Sequence, residues 1–481
     1  MQWLEVAAPL RMTRVALVAP AASLRDVLVT VAGVDAVEID QRDGTPPSLG
    51  GAARRLQQAG RPVTEPALAA EPPDLSWLEQ AGRYDLLAGE AQLEGHAAAA
   101  VRRSGAAALA GWVPADRLPD VTAEVTGAGG AVVPLRRPRW AEAPTLLRGR
   151  GMRRSLTPLV QTYGTVPYAD LDPSSLAWAS YVLMFGMMFG DAGQGVLLVG
   201  VAVALRAGWP RWARRFRQAW PFVGGAGVAA TVFGLLYGEF FGPTGLLPAI
   251  WLDPLSQPVT LLLAAVGAGV ILLAGAYALG TVNRWREGGW PAALYAPSGI
   301  AGSVLFLGAG LAIAGWYAHQ AVLLGIGGLA AVAALALALA GFLAAAGGGG
   351  TGLVQALVEL GDMVIRLGSN VVSFTRLAAF GLTHAALGLL VWQGTRALWD
   401  RGGAAGAAAV AVFLAGTAVT FSLEALVAAV QALRLEYYEL FSRVFVTQGR
   451  LFRPWHLPVV TGPERCVRKE PAELSMRGAD A

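Results

Sequence analysis

Thiols, lysines and histidines are scarce in this sequence, and each scarcity excludes a class of site. The single cysteine, Cys466, permits neither an internal disulfide nor a thiolate-rich metal site. The single lysine, Lys469, sits in Arg-Lys-Glu-Pro, whereas a phosphate-binding P-loop needs Gly-Lys-Ser/Thr. The four histidines and the acidic residues show no spacing typical of a metal site. We therefore expect no cofactor, no bound metal and no P-loop hydrolysis of ATP by this chain.

Charged residues make up only 15% of the chain, and hydrophobic residues make up 55%. Basic residues do not alternate with aromatic residues, so a nucleic-acid partner is not expected. From Leu176 onward, apolar runs of about 20 residues recur, enough to cross a bilayer. The composition predicts a polytopic α-helical membrane domain with seven or eight transmembrane helices, preceded by a small α+β domain that contains a helical hairpin.

The change in composition predicts three segments: an α+β and helical-hairpin domain over 1–172, a transmembrane domain over 173–446 and a tail over 447–481. The first residues, Met1–Val6, lack the basic and apolar regions of a signal peptide. The N-terminal domain and the tail are therefore expected in the cytoplasm, and the chain is expected in a lipid bilayer, the plasma membrane of a prokaryote.

Local patterns predict the elements of the N-terminal domain. Short strands are expected at Arg14–Pro20 and Val34–Ile39, with a helix at Ser23–Ala32 between them, then a mainly helical stretch over Leu75–Leu109, a strand at Gly111–Pro114, a helix at 115–125 and a strand at 131–135.

Apolar runs predict the membrane spans. They lie near 176–206, 218–242, 257–282, 294–316 and 320–346, and two longer helices follow, near 353–397 and 404–446. At about 1.5 Å per residue, each of the last two exceeds one bilayer crossing. These two helices are therefore expected to be strongly tilted, broken or extended beyond the membrane.

Two arginines, Arg376 and Arg434, lie inside the long apolar helices. A guanidinium in hydrocarbon costs roughly 2.5–3.5 kcal/mol on insertion scales, and intramembrane charge usually marks an ion path. On a helix at 100° per residue, the polar residues around Arg376 fall within one stripe of about 140°. The stripe contains Asp362, Arg366, Ser369, Asn370, Ser373, Thr383 and His384. Such a stripe predicts a water-accessible groove or a polar partner.

The next helix carries Glu424, Gln431 and Arg434 on one face by the same geometry. Two other interpretations stay open for these polar groups. They can act as polar contacts that hold helices together, or Glu424 can form an ion pair with Arg376 that only links the two helices. Arg443, near the end of the same helix, is expected to reach the membrane interface.

Two glycine-rich motifs each contain one acid: Asp191 in Met184–Gly195 and Glu239 in Phe233–Gly242. Small residues at three- and four-residue spacing let helices approach closely. The acids can either line an aqueous vestibule or serve the packing of these helices.

Four sequence blocks resemble the membrane subunit a of V-type ATPases, which is called subunit I in prokaryotic V/A-type enzymes. They are Phe185–Gly195, Phe233–Gly242, Ser373–Leu387 and Glu424–Phe441, supported by Gly111–Pro114, by 163–167 and by Asp172–Pro173. The blocks come in the order seen in that family, and the resemblance extends over about residues 75–455. The N-terminal domain is shorter than is usual for the family.

The resemblance implies a stator subunit that forms proton half-channels against a rotor ring of proteolipids and couples proton translocation to ATP hydrolysis or synthesis. It implies that Arg376 faces the ring carboxylate, that Arg434 is the second arginine, and that Glu424, His384 and Asp362 belong to the half-channels. Ser373, Gln431, Glu239 and Asp191 are the further candidates. The implied partners are the ring, the peripheral-stalk and central-stalk subunits, and protons or Na⁺.

Two other functions remain open at this point. A secondary ion transporter with a cytoplasmic regulatory domain would need a substrate site at the membrane midplane, usually on broken helices. A non-conducting assembly scaffold would agree with the short N-terminal domain, but it would gain nothing from two arginines that are so costly to bury.

Overall fold

The computed structural model describes residues 9–40, 50–138, 141–147, 164–347, 349–445 and 449–460. Cys466 and Lys469 lie outside these ranges. The chain forms two compact units. We call Leu10–Leu146 with Arg450–Ala481 the sheet unit, and Met1–Pro9 with Leu147–Gly449 the helical unit. The boundaries expected at 172 and 447 remain predictions. They describe where the chain enters and leaves the membrane, whereas the two units are defined by how compactly the chain packs.

The sheet unit is an antiparallel sheet packed with short helices. Its elements are β1 (Met12–Pro20), α1 (Leu24–Val34), β2 (Glu38–Ile39), α2 (Gly51–Ala59), β3 (Leu68–Ala69), α3 (Leu75–Gln80), α4 (Tyr84–Ala99), β4 (Val101–Arg103), β5 (Ala106–Pro114), α5 (Leu118–Gly127) and β6 (Ala131–Pro134). The strand order is β2-β5-β1-β6, and β4 pairs with β5. Alternating apolar residues of β1 pack against α1 to form the core.

The helix expected over Leu75–Leu109 was wrong in its last part, because the chain forms the hairpin β4–β5 there. The two residues between these strands, Ser104 and Gly105, both have positive φ, at 49° and 81°. Two consecutive positive φ angles produce the turn that matches the twist of a β-hairpin. This turn and the pairing of Val101 with Ala108 override the helical preference of the surrounding alanines.

Residues 450–460 belong to the sheet unit, although they follow the last helix of the chain. Their strand β7 (Val459–Val460) pairs in parallel with β3. Upstream, Leu451 bridges to Thr145, and the ring of Trp455 packs on His96 with centroids 4.5 Å apart. The described part of the predicted tail is therefore folded into this unit.

The helical unit consists of nine long helices within the described residues. They are α6 (Ser174–Met188), α7 (Ala192–Ala207), α8 (Trp220–Tyr237), α9 (Pro258–Tyr295), α10 (Ile300–Tyr317), α11 (Ala321–Ala345), α12 (Gly349–Ser373), α13 (Thr375–Trp399) and α14 (Ala404–Leu435). Six segments are long and apolar enough to cross a membrane, and α6 and α7 are shorter apolar helices. This architecture confirms the predicted polytopic helical membrane domain.

The single span expected over 176–206 was wrong, because the chain turns back at residues 189–191. Trp178 of α6 donates to the carbonyl of Pro221 at the start of α8, and Gly186 faces Phe233, so α6 and α8 run in the same direction. By contrast, Gly227 of α8 packs against Val199 of α7, and α7 returns antiparallel. The helices α6 and α7 form a hairpin whose turn contains Asp191.

We call the end of the bundle where α6 starts the proximal end, and the end with Asp191 the distal end. Leu171, just before α6, donates its N–H to Asn283 Oδ1 near the end of α9. Gly280 of α9 lies against the carbonyl of Arg443. The end of α9 and the segment after α14 therefore lie at the proximal end.

The two long helices near the C-terminus differ in continuity. The first is interrupted at Phe374, which separates α12 from α13. The buried ring of Phe374 fills the space beside Gly269 of α9. The second continues from α14 into a π-helical turn at Glu436–Phe441. The first segment is therefore broken, which is one of the three possibilities expected, and the second forms one helical segment of 40 residues, Ala405–Val444.

Candidate functional site

Four elements bring buried ionisable groups together near the turn of the α6–α7 hairpin. His384 of α13 bonds through Nδ1 to Glu424 Oε2 of α14. Its Nε2 lies 4.0 Å from Oε2 of Glu239, which follows α8. Phe189 packs on the imidazole, with ring centroids 4.9 Å apart. We call Asp191, Glu239, His384 and Glu424 the distal cluster, in which the histidine bridges two carboxylates.

Asp191 has a different role from its neighbours in this cluster. One carboxylate oxygen accepts the N–H of Gln194 at 2.8 Å and that of Phe241 at 3.0 Å. The other accepts the N–H of Gly242 at 2.6 Å. An aspartate at the first position before a helix satisfies N–H groups that the helix leaves free. Asp191 therefore caps α7 and fixes the loop after α8.

Several polar atoms around the cluster are buried without a partner among the described residues. They are Glu239 Oε2, Glu424 Oε1, Tyr237 Oη and Gln431 Oε1. Buried polar atoms are normally satisfied by protein or by water, so these atoms can accept bonds that the described residues do not supply.

The ligand atoms of Asp191, Glu239 and His384 lie within 4.8 Å of one another, which is close enough for a shared metal ion. However, three backbone N–H groups already bind the two oxygens of Asp191. That leaves one carboxylate and one imidazole nitrogen, fewer than the three protein ligands of a catalytic zinc site. By themselves, these three residues therefore do not match the ligand set of such a zinc site.

Arg376 is half-buried at the start of α13, and Arg434 of α14 is exposed. Arg434 and Glu439 both lie close enough for their charges to act on Arg376. Glu424 bonds to His384 instead, so the alternative ion pair between Glu424 and Arg376 is not formed. By the rise of an α-helix, Arg376 lies about 12 Å along the axis from His384.

The polar residues expected to form one stripe on 353–397 do not share one environment. Asp362 and Arg366 are exposed and form a salt bridge of 2.7 Å one helical turn apart, whereas His384 is buried. Ser373 is half-buried and donates to the carbonyl of Ser369. The expected stripe assumed one straight helix over 353–397. The interruption at Phe374 divides that stretch into α12 and α13, so residues on either side of it no longer share one helical face.

A second buried polar group, missed from the sequence, lies proximal to Arg376. Ser180 of α6 donates to Glu436 Oε2 at 2.5 Å. With its amide oriented to satisfy both atoms, Asn370 donates to Glu439 at 2.9 Å and accepts from Arg443 at 2.7 Å. We call Ser180, Asn370, Glu436, Glu439 and Arg443 the proximal cluster.

Two sequence signals could have found this cluster: the three-residue spacing of Glu436 and Glu439, and their position just after Arg434. The side chain of Arg443 is buried, and its guanidinium lies over the ring of Tyr277 at 5.5 Å; its expected place at the membrane interface stays a prediction.

Residues 99–242 match the family model described as the V-type ATPase 116kDa subunit family. That range contains two of the four sequence blocks, including Asp191 and Glu239. Over these residues the chain is similar to this family. Together with six segments that are long and apolar enough to cross a membrane, this similarity indicates an integral membrane protein.

Curated relatives support the assignment. The chain is similar to the A-type ATP synthase subunit I of Thermococcus kodakarensis, with 28% identity over 72% of this chain and 54% of that protein. It is 26% identical to the corresponding protein of Pyrococcus horikoshii over 72% and 53%. It is 32% identical to V-type ATP synthase subunit I 2 of Treponema pallidum over 34% and 37%. The chain spans about half the length of the first two relatives.

Proposed function

We propose that this chain is the stator membrane subunit of a rotary V/A-type ATPase, which carries protons to and from a rotor ring. The observation that supports this most strongly is the order of three features along α12–α14. Arg376 lies between the distal cluster and the proximal cluster, and each cluster contains buried acids. This is the arrangement that two half-channels separated by a fixed cation require.

The distal cluster has the chemistry of a proton relay. His384 contacts Glu424 through one ring nitrogen and faces Glu239 with the other. A histidine can accept a proton at one nitrogen and release one from the other, and its ordinary titration range lies near neutral pH. In the proposed path, protons pass between Glu239, His384 and Glu424 before they reach the rotor carboxylate.

Arg376 supplies the charge that discharges each rotor site. Arginine stays protonated in proteins and offers no acceptor for a proton. At about 4 Å and an effective dielectric constant near 20, it attracts a carboxylate by about 4 kcal/mol. A ring carboxylate that arrives neutral from the lipid therefore releases its proton there, and Arg376 also blocks direct passage between the half-channels.

The face that carries these residues is suited to a partner. The most apolar window of the segment Ala405–Val444 has no residue buried inside the chain, whereas the corresponding windows of the other spans are 17–33% buried. Exposed apolar side chains beside the arginines include Val372, Leu426 and Val430. A ring of small apolar helices would cover this surface. The peripheral and central stalks are further proposed partners.

Charge asymmetry supports a cytoplasmic proximal end. Seven arginines lie in or beside its interhelical connections: Arg206, Arg211, Arg214, Arg215, Arg217, Arg284 and Arg286, whereas Arg396 and Arg401 lie at the other end. Cytoplasmic loops carry an excess of basic residues. The hairpin α6–α7 removes the conflict that a single span over 176–206 would create for a cytoplasmic N-terminal domain.

The test is proton flux through the assembled complex in liposomes. Arg376→Gln is expected to reduce coupled flux to background while the complex still assembles, and Arg376→Lys is expected to be strongly impaired because lysine can lose its proton when desolvated. Arg401→Gln, an exposed arginine between α13 and α14, serves as the control and keeps wild-type flux. Wild-type flux in Arg376→Gln would refute the proposal and favour a transporter or a scaffold.

A further inference from the structure

The three helices α6, α7 and α8 enclose an apolar groove that opens to the lipid-facing surface. α8 forms its floor, and α6 and α7 form its two walls, as Val182, Val203 and Val228 illustrate. Its volume is about 640 Å³, within the range of about 300–1,000 Å³ typical of small-molecule sites. Neither Arg376 nor any residue of the two polar clusters lines this groove.

The proximal end of this groove carries a cation. Arg206, in the last turn of α7, lines the groove, and its guanidinium lies 4.9 Å from the ring of Trp220. The chain then continues into a 3₁₀ segment, Arg211–Ala219, which adds Arg211, Arg214, Arg215 and Arg217. The aliphatic part of Arg214 lies next to Gly208, so this basic segment adjoins the mouth of the groove.

The positive charge at the groove mouth is not balanced by the protein. Residues 192–238 contain no acidic residue. Within the described part of the chain, none of the five arginines forms a salt bridge with an acid. Trp209 and Trp212 are 72% and 71% exposed beside them, and tryptophan at the membrane–water interface is typical of residues that lie among lipid headgroups.

We propose that this groove is a binding site for one anionic phospholipid. An acyl chain occupies the apolar groove, and the phosphate binds Arg206 and the arginines of the 3₁₀ segment. Charge complementarity selects this occupant, because guanidinium groups suit phosphate oxygens and basic clusters beside transmembrane helices attract anionic headgroups. A zwitterionic lipid would fill the same space but would gain less from the unbalanced arginines.

The test uses the full chain, purified in mild detergent and analysed by native mass spectrometry. Phosphatidylglycerol and phosphatidylcholine with identical acyl chains are added at equal concentration. One phosphatidylglycerol is expected to remain bound per chain, in preference to phosphatidylcholine. Arg206→Gln is expected to reduce this preference about fivefold, which corresponds to about 1 kcal/mol per arginine near the surface. Arg401→Gln is the matched control and leaves the preference unchanged.

A second pair of variants tests the groove itself. Val228→Trp fills it, whereas Val196→Trp places the same bulk on α7 outside the groove lining; the two valines are 56% and 57% exposed. Loss of the bound lipid in Val228→Trp alone supports the site, and this pair decides the matter if Arg206→Gln does not fold. Glycerol phosphate, which has no acyl chain, is expected not to displace the lipid.

Three outcomes overturn the proposal. Equal retention of the two lipids would show that the arginines select nothing. Equal losses in Val228→Trp and Val196→Trp would show that the groove is not the site. Displacement by glycerol phosphate would show a site for soluble phosphate rather than for a lipid.

Discussion

At the scale of single residues, Asp191 and Glu239 show how neighbouring acids acquire different roles. The sequence alone could not distinguish their roles, because each is an acid in a glycine-rich motif. The structure separates them, because Asp191 accepts three backbone N–H groups, while one buried oxygen of Glu239 receives no hydrogen bond from the described residues. Residue type and spacing made the two arginines and His384 candidates, but they could not predict which residues these side chains contact, because those residues lie on helices distant in sequence.

The first prediction compares these two acids. Asp191→Asn is expected to destabilise the folded chain by about 1–3 kcal/mol, because hydrogen bonds to a charged acceptor are lost or weakened. Glu239→Gln, which keeps the shape, is expected to preserve the melting temperature and to reduce proton flux. Melting temperature in detergent and flux in liposomes are measured for both. The reverse pattern would contradict the assignment.

The second prediction concerns His96 in the sheet unit, where burial lowers the pKa of the imidazole below its usual value of 6.5. The unfolded chain therefore takes up a proton near pH 6.5 that the folded unit resists. Stability is retained above that pH and lost as pH falls below it. After correction for the intrinsic pH dependence of amide exchange, the protection of α4 and of 450–460 against hydrogen exchange is expected to fall as pH decreases from about 7.5 to 5.5.

His96→Gln is the control for this effect, because glutamine does not titrate. Glu38 and Glu90, whose pKa values are raised mainly by burial, are still present in this variant. The difference between wild type and variant therefore reports His96 alone, and an identical pH response in both would exclude it.

At the scale of elements, the α6–α7 hairpin is the feature that the hydrophobic pattern failed to predict. Residues 176–206 form one apolar run, and a run of that length is normally assigned to one crossing. The sequence did contain one signal for the turn. In the middle of the apolar run, Gly190 interrupts the helical pattern, and Asp191, a residue type that caps the start of helices, follows it. Small residues allow the hairpin to form. Because Gly227 has no side chain, α8 approaches Val199 of α7 closely, and α7 can pack antiparallel to α8.

The third prediction tests this close contact. A Cβ added at Gly227 would lie 2.8 Å from the backbone nitrogen of Val199, so Gly227→Ala is expected to destabilise the chain by about 1–3 kcal/mol through overpacking. Gly200, on α7, has open space around it. Gly200→Ala is therefore expected to be neutral or to stabilise by up to about 1 kcal/mol. Equal melting temperatures for the two variants would contradict the packing described here.

At the scale of the whole molecule, composition alone predicted a polytopic membrane domain with a small α+β domain, and the structure confirms this. It could not predict the return of residues 450–460 to the sheet unit, because this depends on pairing between β3 and β7, about 390 residues apart in sequence. The entropy of closing a loop grows only slowly with its length, so a large sequence separation neither forbids such a contact nor predicts it.

The single span expected over 176–206 also placed the arginines around 206–217 at the wrong end of the bundle. One missed turn reverses the end at which every later loop is expected.

The fourth prediction tests this topology by labelling introduced cysteines. In a Cys466→Ser background, Arg214→Cys at the proximal end is expected to react with a membrane-impermeant maleimide only from the cytoplasmic side. His319→Cys, between α10 and α11, is expected to react only from the opposite side. Labelling of Arg214→Cys only from the side opposite the cytoplasm would refute the hairpin, because a single span over 176–206 after a cytoplasmic N-terminal domain would place residue 214 there.

The membership of residues 450–460 in the sheet unit has a mechanical consequence. The unit is joined to the membrane helices by two covalent connections, one before α6 and one after α14. These connections leave the sheet unit side by side, because Thr145 pairs with Leu451. In the stator role proposed above, a pull on the unit would therefore be shared between two stretches of chain instead of falling on one.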